Sequence, residues 1–160
     1  MKVSQIFFRS TLWLSLGVWV GSWGFFAFVV SRLAFRVLPG NVAGDLAGQL
    51  LQPLHYGGAT LALVAAASAV ALGRRGLVVA LPLLLAAICL ASELFLSPEV
   101  AALRPSAMGA EATEAKSLRF KYLHALSLGT FLVVHIASIG LLVLHARIDA
   151  GSLVEKSASG

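Results

Sequence analysis

Charge is scarce in this chain. Only 12% of its 160 residues are Asp, Glu, Lys or Arg, about half the usual share. So little polar surface cannot cover a water-soluble particle, which excludes a soluble globule. Cysteine is scarcer still: a single Cys89 lies inside an apolar run, so neither an intramolecular disulfide nor a CxxC site can form. The sequence also has no phosphate-binding glycine loop, no HExxH zinc motif and no paired carboxylates within its apolar runs. Without these the expectation is a protein that is not an enzyme. Strand-like alternation is missing too, which leaves helices.

What is abundant is apolar. Hydrophobic residues make up 59% of the chain, with 15 glycines besides, and the mean hydropathy is +0.91. The formal charge of +5 would suit a nucleic-acid binder only if Lys and Arg clustered on one face. They instead punctuate the hydrophobic runs, where a bilayer tolerates them, so no nucleic-acid partner is expected and the solvent is lipid.

Four runs can cross a membrane: about 12–30, 54–72, 77–96 and 120–144. Each suffices for a hydrocarbon core of about 30 Å at a rise of about 1.5 Å per residue. The first is too long for a signal peptide and has no small-residue cleavage site, so it reads as a retained span. The expected fold is therefore all-α, a single four-span membrane bundle over residues 1–150 followed by a disordered tail at 151–160. Between spans two and three lies only Gly73-Arg74-Arg75-Gly76, which makes those helices antiparallel neighbours. Residues 41–52 place Val42, Ala43, Leu46, Ala47, Leu50 and Leu51 opposite Asn41, Asp45, Gln49 and Gln52. That pattern predicts a short interfacial amphipathic helix between spans one and two, begun by Pro39-Gly40 and closed by Pro53. Residues 97–118 predict a short helix from Ser97-Pro98-Glu99 to Arg104-Pro105, then a mobile loop.

An even number of spans puts both termini and the Arg74-Arg75 turn on one side. Lys2, Arg9, Arg74, Arg75, Arg147 and Lys156 face Arg32, Arg36, Arg104, Lys116, Arg119 and Lys121 across the membrane, so the count of basic residues gives no bias. The short basic turn favours cytoplasmic termini, and the Ala/Leu/Gly-rich composition a bacterial inner membrane.

Helices in lipid associate through close packing and polar contacts, because the surrounding tails are as apolar as leucine. Gly17, Gly21 and Gly24 repeat along span one and predict a helix-packing groove that faces protein while Trp19 and Trp23 face lipid. Span two, rich in Gly and Ala from Gly57 to Ala69, is expected at the centre. A self-association face, and hence a homo-oligomer or a larger membrane complex, is the other use of such glycines.

Ionisable groups within a membrane mark candidate functional sites. Span two begins, span three ends and span four begins on the same side, so His55, Glu93 and His124 come to one depth near one interface. Two imidazoles and a carboxylate could bind a transition metal, carry a proton or give haem b an axial pair. Alternatively, Arg32, Arg36, Arg119 or Lys121 neutralises Glu93 at the interface. His135 falls midway along span four, about 16 Å along the axis from His124, too far to share one metal. It is expected to hydrogen-bond Ser138, Thr60 or a neighbouring carbonyl. Ser127 and Ser138, each three residues after a histidine, lack an acid to orient the imidazole, so no catalytic residue is assigned.

Trp19-Val20-Gly21 with Phe25 and Phe28, Leu38-Pro39 with Ala43-Gly44, and Phe120 followed by Leu123-His124 and Ser127 together resemble the transmembrane protein 205-like family. The likeness covers roughly residues 12–145. It implies a four-helix membrane fold with no established activity, and it maps that family's last-span histidine and serine to His124 and Ser127. The chain departs from that pattern at His55, where an aromatic is expected, and at Phe131, where an amide is expected. A more distant likeness, to copper-resistance and haem-binding four-helix proteins, is one of fold alone. The reading that follows is a non-enzymatic accessory or oligomer-forming membrane component with a polar focus at His55, Glu93 and His124 and no resident cofactor. Its alternatives are a haem- or metal-binding redox or metal-handling protein, and a small transporter or channel formed by an oligomer.

Overall fold

The computed structural model describes residues 3–103 and 114–158. Among the described residues there is no strand. Four long helical rods form the molecule: α1, Val3–Val37; α2, Gly40–Ala71; α3, Leu77–Leu103; and α4, Glu114–Ala158. Each contains a stretch long and apolar enough to cross a membrane. Helix α2 packs against both α1 and α3, and α4 closes the bundle against α1 and α3. The hairpin between α2 and α3 turns on Gly73 and Gly76, whose φ of +76° and +71° lie where a Cβ would be strained.

Two rods carry a π-helical turn, Phe26–Val30 in α1 and Ser92–Leu96 in α3. A π turn inserts one extra residue and rotates everything beyond it relative to a regular helix. In α3 this widened turn ends just before Ser97-Pro98, and the helix runs on through Leu103 instead of starting anew at Ser97. Pro98, which has no N–H to donate, therefore follows the widened turn directly. The expected stop at Arg104-Pro105 and most of the expected loop lie outside the described residues.

Residues 41–52 are helical, but they are not a separate interfacial helix. They form the first turns of α2, and Pro53 sits inside that helix without ending it. Ala47, Leu50, Leu51 and Leu54 pack on the bundle core, which holds the segment in line with the span. Gln49, whose carbonyl Pro53 leaves without its helical partner, lines a polar cleft at this end of the molecule. Likewise α4 continues through Ala158, past Gly151, where the sequence predicts a tail.

The core reverses the expected rotation of α1. Trp19 and Trp23 are 0% and 1% exposed, whereas a Cβ added at Gly17 or Gly21 would meet nothing within 4 Å. The tryptophans face protein and these two glycines face outward. Gly24 alone of the three meets a partner: a Cβ there would stand 3.6 Å from His135 Cε1. The reason lies across the interface at Gly58 in α2, where a methyl would stand 3.1 Å from Trp19 Nε1 and 3.2 Å from Trp23 Nε1. Gly58 is one helical turn beyond Leu54, so its missing side chain opens the Leu54 carbonyl, and Trp23 Nε1 donates to that oxygen at 3.2 Å. A buried indole calls for such a partner; the small-residue face of α2 supplies Trp23 with both the space and the acceptor, while Trp19 Nε1 is buried beside Gly58 without a hydrogen-bond partner.

Candidate functional site

Trp23 organises the site next to it. Its ring lies flat on Phe131 of α4, with centroids 4.5 Å apart, and stands edge-on to His55 at 5.8 Å. His55, 2% exposed, is thereby fixed in α2 with its Nδ1 2.9 Å from Glu93 Oε2. Glu93, 9% exposed, reaches inward from the π turn of α3. Ser97, four residues on, donates its hydroxyl to the same Oε2 at 3.0 Å. Two helices thus bring an imidazole, a carboxylate and a hydroxyl into one chain of hydrogen bonds, buried at His55 and Glu93 and half-buried at Ser97.

A cleft of about 440 Å³ reaches this centre from the adjoining interface. Glu93 and Ser97 form part of its wall, and Asp45, Gln49, Gln52 and Ser127 contribute further polar groups. The pair is therefore buried among rings on one side and borders a polar opening on the other. Burying ionisable groups this way costs free energy that well-packed apolar side chains would avoid.

His124 is not brought to this centre. It is exposed and stacks on Phe120 of its own helix, with ring centroids 5.6 Å apart. On α4 it is Phe131 and Val134 that face the core instead. Among the described residues no three His, Cys, Asp or Glu side chains gather as a metal-ligand set. Arg119 does not neutralise Glu93 either; it donates to Glu99 Oε2 at 2.7 Å.

His135 is buried at mid-span, packed on Phe131 and over Gly24. The expected hydrogen bond from its ring is not made to Ser138 or Thr60. Ser138 donates to the backbone carbonyl of His135, Thr60 donates to Tyr56 O, and the His135 Nδ1 has no hydrogen-bond partner.

A second polar cluster occupies the opposite end of the bundle. Asp149 accepts from Arg9 Nη2 at 2.9 Å, from Trp13 Nε1 at 3.1 Å and from Arg74 Nη2, while Arg74 Nη1 donates to His145 Nδ1. It ties α1, the hairpin and α4 together. Sequence reasoning missed it, along with Ser97 and Trp23 as members of the first site. Helical spacing held the only signal: Arg9 and Trp13, His145 and Asp149, and Glu93 and Ser97 are each four residues apart and so share a face.

Four apolar rods with polar clusters near both ends define an integral, multi-pass membrane protein. The chain belongs to the DUF4149 family, a domain of unknown function, which matches residues 14–108 and so more than half of its length. The match takes in both His55 and Glu93 and ends before α4. No curated protein and no solved structure matches the chain.

Proposed function

We propose that this protein is a non-enzymatic component of the bacterial inner membrane, an accessory or oligomer-forming subunit with cytoplasmic termini, whose working part is a proton-exchanging centre at His55, Glu93 and Ser97. One observation carries the reading: an ionisable pair sits buried within membrane-spanning helices where a polar cleft gives it access to one interface. A proton added at the cleft can pass along Ser97, Glu93 and His55 without a bulky ligand entering. The outward Gly17 and Gly21 support the oligomeric side of the proposal, because they leave α1 a surface that another helix can approach closely. The likeness to transmembrane protein 205-like proteins belongs to the same reading, carried by Trp19-Val20-Gly21 and the His124 to Ser127 segment.

A metal or haem reading would need His124 turned inward, so the geometry favours proton exchange. A transport path through one copy would have to pass the stacked Trp23 and Phe131 rings, which fill the bundle beside His55.

The test is infrared difference spectroscopy of the protein in lipid nanodiscs, stepped in pH. A carboxyl band that appears and disappears reversibly, and is absent from Glu93→Gln, is the expected result. A spectrum in which Glu93→Gln changes nothing, with helix content retained, would overturn the proposal.

A further inference from the structure

The hairpin at the other end of the bundle has an unassigned groove. It measures about 490 Å³ and is lined by Val70, Val79, Ala80 and Leu83, with Arg74, Arg75 and the two hairpin glycines at its mouth. Its walls are apolar, both arginines border it, and no acidic residue lines it.

The two arginines are used differently. Arg74 is turned inward and spent on Asp149 and His145. Arg75 is exposed and makes no ion pair among the described residues. Beside it, α3 begins after Gly76 with no side-chain cap and no acidic residue in its first turn. The amides of Val79 and Ala80 in that turn donate to Gly76 O at 3.0 Å, and the positive end of the helix adds its potential at the same mouth. Nothing blocks approach to the backbone, since a Cβ at Gly73 or Gly76 would meet nothing within 4 Å.

A cationic mouth over an apolar trough, at membrane depth, complements one kind of molecule. We propose that this groove binds a single anionic phospholipid, its phosphodiester held by Arg75 and the start of α3 and an acyl chain lying along Val70, Val79, Ala80 and Leu83. Charge selects the headgroup, while the trough requires a chain attached to it. Occupancy would brace the hairpin on the outer side of Arg74, whose inner side anchors α1 and α4. This proposal is independent of the His55 centre.

The experiment is native mass spectrometry of the detergent-purified protein with added phosphatidylglycerol or phosphatidylcholine, alongside thermal unfolding in each lipid. One phosphatidylglycerol is expected to be retained in preference to phosphatidylcholine and to raise the unfolding temperature. Arg75→Gln should weaken that retention about fivefold, the share of one basic residue at a membrane surface. Its unfolding without lipid should match wild type, because Arg75 holds no internal partner. Ala80→Phe, which fills the trough, should abolish retention, and Lys121→Gln at the opposite interface should leave it intact. Equal retention of the two lipids, or an unaffected Arg75→Gln, would overturn the site. So would a stabilisation reproduced by glycerol phosphate alone, since the trough would then play no part. A change of oligomeric mass in Ala80→Phe with lipid retention unchanged would assign the groove to a second copy instead.

Discussion

Gly58→Ala tests the packing that positions the site. The added methyl would stand 3.1 Å from Trp19 Nε1 and 3.2 Å from Trp23 Nε1 and Cζ2, closer than ordinary van der Waals contact. Neither indole has room to retreat, because both are buried and Trp23 is stacked on Phe131. Overpacking of this kind costs about 1–3 kcal/mol. The Trp23 hydrogen bond to Leu54 O, which passes beside the Gly58 Cα, would lengthen and lose about 1 kcal/mol more. Against this, alanine gains up to about 1 kcal/mol over glycine within a helix. Gly57→Ala isolates that gain, since its methyl would meet nothing within 4 Å. The gap between the two variants is therefore about 2–4 kcal/mol, read by reversible unfolding in mixed micelles, with Gly58→Ala the less stable. Trp23 also borders His55, so tryptophan fluorescence of Gly58→Ala should shift as the ring is displaced. Equal stability of Gly58→Ala and Gly57→Ala would refute the reasoning.

Other outcomes follow from the same contacts. His55→Ala and Glu93→Gln should be coupled by at least about 0.5 kcal/mol in a double-mutant cycle, whereas Glu93→Gln and His124→Ala should be additive within that margin; unfolding of the single and double variants checks both. Asp149→Asn leaves Arg9 and Arg74 facing each other without their shared carboxylate, and should cost about 1–3 kcal/mol, less than a fully buried pair because Arg9 is about a third exposed. That loss should be visible as fraying of the terminal turns in hydrogen exchange. Gly21→Leu should reduce self-association measured by light scattering without destabilising the monomer, which should instead gain up to about 1 kcal/mol from the better helix former, since a Cβ at Gly21 would meet nothing within 4 Å.

Chain crossings were legible in the residues alone, because exclusion of charge over a bilayer's thickness is a one-dimensional property. Crossings in turn set depth, and depth alone put His55 and Glu93 on one level. Rotation about each helix axis was not legible. In water the buried face of a helix is the apolar one, but in lipid both faces are apolar, so hydropathy could not say whether the tryptophans or the glycines of α1 face inward. Contact with Gly58 decided that, and the same freedom of rotation separated His124 from its expected partners. The prolines misled for a related reason: Pro53 and Pro98 read as breaks, yet a helix packed along its length by Leu50, Leu51 and Leu54, or relieved by a π turn, continues past them. Asp149, Arg9 and Arg74 lie far apart along the chain, and only the closing of α4 against α1 and the hairpin makes them neighbours.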